Sequence, residues 1–172
     1  MKITLVGYMG SGKSTIGKEL AALLNLHFID LDKQIEKHTG KTVSELFKEG
    51  EIKFRKLERE VLLHTLKSNS NIVLAVGGGT PVFYDNMKQL NDYSTSVYLQ
   101  SNPAHLVERL VNDKSHRPLI AHLSDEALPE FIAKHLFERR NFYEQADLTV
   151  SVNSKSTEEI TKEIIRLLAR HQ

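Results

Sequence analysis

Cysteine is absent from the 172-residue chain, which excludes disulfides and thiolate metal sites and suits a reducing compartment. Long hydrophobic runs are absent too. No apolar stretch approaches the roughly 20 residues that span a bilayer, and Met1-Lys2 leads straight into a strand-like segment instead of a signal peptide. A soluble, cytoplasmic protein with no membrane partner is expected. Nor does charge of one sign prevail, because 23 Lys and Arg face 22 Asp and Glu, for a formal net charge of +1. With no overall field to draw a polyanion, nucleic acid is not an expected partner, and any anionic ligand must be held by a local cluster. The eight histidines show no HExxH spacing. The length suits one domain over residues 1–172, and the absence of a distinct interface segment suggests a monomer.

What is present is an alternation of two periodicities. Short β-favouring runs at Lys2–Val6, His27–Ile29, Asn71–Val76, Ser96–Leu99 and Leu148–Val152 predict five strands. Between them, helical spacing predicts helices over Ile16–Leu26, Asp32–His38, a short segment opened by Thr42 and closed by Gly50, Glu51–Lys67, Ala104–Val111 behind Pro103, Phe131–Tyr143 and Thr157–Arg170. Asn112–Ser124 breaks the pattern and predicts a long surface loop, a candidate lid at about 112–124. Strands alternating with helices predict an α/β fold, a five-stranded parallel sheet flanked by helices on both faces. Ligands in such sheets bind at the carboxyl ends of the strands, here Gly7, Asp30 and Gly77.

Gly7-Tyr8-Met9-Gly10-Ser11-Gly12-Lys13-Ser14 matches GxxxxGK[ST] in full, between a predicted strand and a predicted helix. Its glycines turn backbone N–H groups toward phosphate oxygens, and the helix N-terminus adds its positive dipole end. Gly10, Ser11, Gly12, Lys13, Ser14 and Thr15 are therefore candidate ATP-binding residues, with Lys13 on the β- and γ-phosphates and Ser14 on Mg²⁺. Asp30-Leu31-Asp32 follows the second strand; one carboxylate can serve magnesium while the other faces an acceptor hydroxyl, unless Asp32 merely caps the next helix. Arg55 and Glu58, three apart on a helix, read by themselves as a solvated ion pair. Gly77-Gly78-Gly79 points to a close approach by ligand or backbone. Arg117, in the long loop, is either solvated or carried by a lid to the charge that develops on the phosphates. Arg139 and Arg140 are either surface charge or a fork for a carboxylate.

In their order along the chain these motifs resemble the shikimate kinase family, from the first strand to the last helix. The family's P-loop, Asp-x-Asp, Phe-Arg-x-x-Glu, Gly-Gly-Gly, Arg-Pro and Arg-x-x-x-Tyr stand here as Gly7–Ser14, Asp30–Asp32, Phe54–Glu58, Gly77–Gly79, Arg117-Pro118 and Arg139–Tyr143. The resemblance implies a P-loop kinase with an acceptor-binding segment at about 31–62. It also implies transfer from ATP to the 3-hydroxyl of shikimate on the way to aromatic amino acids. By that likeness Asp32 holds the reacting hydroxyl, Arg55 and Arg139 clamp the carboxylate, and Glu58, Gly77, Gly78 and Gly79 complete the pocket. Asp30 and Ser14 would serve Mg²⁺, Lys13 and Arg117 would stabilise transferred charge, Arg109 would stack on adenine, and Asn153 would lie in the adenine loop. The family often has proline after the carboxylate-binding arginine, where this chain has Arg140, so spacing to Tyr143 favours Arg139 and leaves Arg140 open. Leu31 also replaces a small polar residue frequent between the aspartates. The rivals are another small-molecule kinase, such as a gluconate kinase, and a nucleotide-dependent switch.

Overall fold

Ile72–Ala75 is buried at every position, and that run lies inside a sheet covered on both faces. The computed structural model describes residues 1–114, 117 and 119–171. Five strands, β1 (Lys2–Val6), β2 (His27–Asp30), β3 (Ile72–Ala75), β4 (Thr95–Gln100) and β5 (Leu148–Ser151), form one parallel sheet in the order β2-β3-β1-β4-β5. The helices are α1 (Lys13–Leu24), α2 (Leu31–Thr39), α3 (Val43–Glu49), α4 (Glu51–Ser68), α5 (Asn86–Tyr93), α6 (Pro103–Val111), α7 (Leu128–Tyr143) and α8 (Thr157–His171). The expected architecture is present.

Strand side chains alternate between two cores. Ile3, Leu5 and Val73 pack with α1 and α8 through Ile16, Leu20, Ile160 and Ile164. Val6, Ile72 and Leu74 point the other way, into a larger core built by α2 through α7, with Ile35, Leu46, Phe54, Leu90, Leu110 and Ile132. Each such side chain contributes about 1.5–3 kcal/mol relative to exposure. Register then aligns the strand ends: Ala75 of β3 lies opposite both Leu5 of β1 and Asp30 of β2. The P-loop, the Asp-x-Asp and the triple glycine therefore leave the sheet side by side.

Several boundaries differ from expectation. α1 begins at Lys13, not Ile16, because Gly12 (φ 92°) turns the chain directly into the helix. Asp30, not Asp32, caps α2, since its side chain accepts from the Asp32 and Lys33 amides; Asp32 occupies the first turn. A 3-10 turn at Thr80–Val82 and helix α5 stand where no element was expected, the inward face of α5 being only Asn86, Met87 and Leu90. α7 starts at Leu128, three residues early, with a proline in its first turn. Of the Lys114–Leu119 run, Ser115, His116 and Pro118 lie outside the described residues.

Candidate active site

The P-loop cradle is built by main chain. Gly10 (φ 81°) and Gly12 (φ 92°) hold left-handed conformations, and no side chain caps the amides at the start of α1, which are left to an anion. The Ser11 hydroxyl, facing inward, is buried without a hydrogen-bond partner. Lys13 Nζ donates to Gly7 O at 2.8 Å and Tyr8 O at 2.9 Å, so its ammonium lies along the loop. Burial lowers its pKa to about 8, against the opposing charge of Asp32.

Ser14 Oγ donates to Asp30 Oδ2 at 2.9 Å, while Asp30 Oδ1 accepts the Asp32 amide at 3.1 Å. Two hard oxygen donors thus stand together at the edge of the cradle. No cluster of three or more metal-ligating His, Cys, Asp or Glu exists among the described residues. A divalent ion here must take further oxygens from phosphate and water, as Mg²⁺ characteristically does, and the donor set fits it. Asp32 itself faces the cleft. Burial, reinforced by the charges of Asp30 and Glu58, pushes its carboxyl up to about 6.

A second cluster closes around Arg55. In place of the solvated pair expected from the two residues alone, Arg55 is 5% and Glu58 1% exposed. Arg55 Nη1 donates to Glu58 Oε2 at 2.9 Å, and the guanidinium carbon lies 4.2 Å from the centroid of Phe83. Thr80 Oγ1 donates to the other Glu58 oxygen at 2.7 Å. Each charge is satisfied by packing that the helix spacing could not reveal. The glycine turn makes room for this: a Cβ on Gly79 would stand 2.6 Å from Arg55 Nη2, and one on Gly77 would stand 3.4 Å from both Asp32 Oδ1 and Glu58 Oε1.

The two arginines of α7 separate. Arg140 is exposed and its Nε donates to Glu144 at 2.6 Å, a surface pair. Arg139 turns inward, where its charge acts on Tyr8, Lys13 and Tyr143. Arg109 Nη1 donates to Gly10 O at 3.1 Å and so lies over the P-loop. Arg117 lines the same cleft, of about 390 Å³, as Lys13, Asp32 and Gly78. It is held through Nε and Nη2 to Asp113 Oδ2, at 2.9 and 2.8 Å. Asn153 is not brought to that cleft; its Oδ1 accepts from Asn102 N at 3.0 Å and Ser101 Oγ at 3.3 Å and so secures that turn. Thr80, Phe83, Asp113 and His135 were missed. Only Asp113 carried a signal, as an acid four residues before Arg117.

A family model described as shikimate kinase matches residues 9–169. A shikimate kinase of Flavobacterium johnsoniae is 45% identical over 170 residues, which cover 98% of this chain and 99% of that protein. Among solved structures, a shikimate kinase from Bacteroides thetaiotaomicron superposes with TM-score 0.91 at 41% identity, covering 98% of each chain. One from Acinetobacter baumannii in complex with shikimate gives TM-score 0.88 at 35% identity, covering 99% of this chain and 94% of the other.

Proposed function

The chain belongs to the shikimate kinase family, and on that premise we propose how its own residues carry the γ-phosphoryl group of ATP to the 3-hydroxyl of shikimate, giving shikimate 3-phosphate and ADP. The P-loop amides and Lys13 hold the triphosphate, with Arg109 on the adenine and the Asn153 turn bordering it. Ser14 and Asp30 hold Mg²⁺, which supplies charge neutralisation on the β- and γ-phosphates.

Asp32 carries the acceptor chemistry. Its carboxyl, which lines one cleft with Lys13, Gly78 and Arg117 and feels the charges of both Lys13 and Glu58, is the observation on which the division of roles rests. When ionised it orients the 3-hydroxyl and accepts its proton as the bond to phosphorus forms. Arg55 and Arg139 engage the shikimate carboxylate, and Glu58 with the Gly77–Gly79 turn fixes the ring. Arg117 exchanges Asp113 for the transferring phosphoryl group as the segment at 112–124 closes, excluding water that would otherwise hydrolyse ATP.

A monomer fits this reading. No described helix is long and apolar enough to cross a membrane. A cytoplasmic enzyme, supplied there with ATP and Mg²⁺, fits this chemistry. The test is an acceptor screen with ATP and magnesium, offering shikimate, gluconate and nucleoside monophosphates. ADP release driven by shikimate alone is the expected result. Release driven by gluconate, which has no six-membered ring to seat beside Arg55 and Arg139, would favour the rival kinase. Hydrolysis indifferent to any acceptor would favour the nucleotide-dependent switch.

A further inference from the structure

His135, Arg139 and Tyr143 follow one another at intervals of four along α7 and share one face of it. The outer two are tied to the P-loop and to the glycine turn. Tyr143 Oη donates to Gly78 O at 2.6 Å, and Gly78 itself backs onto the P-loop, where a Cβ would stand 3.3 Å from Met9 N. Tyr8, the second P-loop residue, is 1% exposed, and its Oη lies 2.8 Å from His135 Nδ1. The two rings meet edge to face with centroids 5.5 Å apart. Arg139 sits one turn from each anchor.

The chemistry of the Tyr8–His135 contact is set by its surroundings. Burial, reinforced by the Arg139 charge, pulls His135 down to about 4, so its ring is neutral near pH 7. Burial raises the Tyr8 hydroxyl above its ordinary range, so it keeps its proton. With both groups neutral the contact is a hydrogen bond whose direction follows the imidazole tautomer: with the proton on Nε2, Tyr8 donates and His135 Nδ1 accepts. Tyr8 belongs to the P-loop between β1 and α1, so losing this bond removes the tie from this turn of α7 to the P-loop.

We propose that His135 is a positioning residue for acceptor binding: its hydrogen bond to Tyr8 fixes the turn of α7 carrying Arg139 against the P-loop, and so sets the affinity for the acceptor carboxylate. The inference rests on Arg139 engaging that carboxylate, as proposed above. His135 itself touches neither substrate. An arginine that meets a carboxylate as a planar fork tolerates little displacement, so an α7 turn that shifts to relieve an unpartnered tyrosine weakens that contact first. Lys13 and Ser14, proposed to hold the nucleotide, take their hydrogen bonds from the P-loop and Asp30 and none from α7.

The test compares the wild-type chain with His135→Phe, which keeps ring volume but loses the acceptor, and His135→Asn, whose amide oxygen stands near the place of Nδ1. Calorimetry gives the dissociation constant for shikimate, and steady-state kinetics give KM for each substrate and kcat. For His135→Phe, the shikimate dissociation constant and KM rise about threefold to tenfold, while KM for ATP and kcat stay within about twofold; His135→Asn recovers most of the loss. Three results overturn the inference: wild-type shikimate affinity in His135→Phe, KM for ATP rising in step with that for shikimate, or a folded His135→Asn no better than His135→Phe. Should His135→Phe fail to fold, Tyr8→Phe removes the same bond from its other end, and unchanged shikimate affinity there overturns the inference equally. Wild-type protein that neither binds nor phosphorylates shikimate overturns the functional assignment, and this inference with it.

Discussion

A Cβ on Gly79 would stand 2.6 Å from Arg55 Nη2, closer than such atoms approach in folded proteins. The backbone at Gly79 is ordinary, with φ −88°, so conformational freedom is not what the position requires. It requires emptiness. The guanidinium fills the space a side chain would take, between Glu58 and the ring of Phe83, and the glycine turn and the arginine are one device contributed by separate elements.

Gly79→Ala should therefore act on the acceptor and not on the nucleotide. The methyl group pushes the Arg55 guanidinium from its seat, at an overpacking cost of about 1–3 kcal/mol in thermal unfolding. KM for shikimate should rise about tenfold with KM for ATP little changed. An unchanged shikimate KM would mean that Arg55 does not serve the carboxylate.

Asp30 has two tasks that substitution can separate. Its oxygens cap α2 and receive the Ser14 hydroxyl, and its charge is proposed to serve magnesium. Asp30→Asn keeps a capping acceptor and loses the charge, so the melting temperature should hold while the magnesium concentration for half-maximal activity rises about tenfold or more. Asp30→Ala should lose about 1 kcal/mol of stability besides. A magnesium titration of Asp30→Asn that overlays the wild type would remove Asp30 from the metal.

The pH dependence of kcat/KM should be a bell. Its acid limb falls near 6, where Asp32 protonates and can no longer accept the hydroxyl proton, and its alkaline limb near 8, where Lys13 loses its charge. In kcat, the charge of bound triphosphate restores Lys13 and moves the alkaline limb upward. Profiles flat from pH about 5 to 9 would contradict both assignments.

Stability should run opposite to activity at Asp32. Its folded pKa lies above the ordinary value of 3.8, so the stability it contributes is complete below that value and is lost as pH rises through about 6. Ionised Asp32 is then a cost at neutral pH. Asp32→Asn should raise stability there by on the order of 1–3 kcal/mol while abolishing transfer. Thermal unfolding of the two proteins at acid and neutral pH measures it, and equal melting temperatures at neutral pH would show that Asp32 carries no such burden.

Much of this site could be read from the chain because its parts are local. The P-loop declares itself through a change of period from two to helical spacing across Gly7–Ser14, and Asp30 and Gly77 follow directly from where strands end. Helix α5 was not legible: with its buried side only Asn86, Met87 and Leu90, it is too short for a periodic pattern. Arg55 with Glu58 looked solvated because spacing on one helix says nothing of Phe83 or Thr80, which cover the pair from another element. The choice between Arg139 and Arg140 did have a sequence-level clue in Glu144, four residues after Arg140. Tyr8 and His135, 127 positions apart, offered none, since only the folded sheet brings α7 over the P-loop.

The most direct test of the central claim is phosphorus NMR of the product formed from ATP, magnesium and shikimate. The site described here predicts one new phosphomonoester, coupled to the proton on C3 of shikimate and appearing in step with ADP. Inorganic phosphate as the sole product, or a phosphoester on any other oxygen, would contradict it.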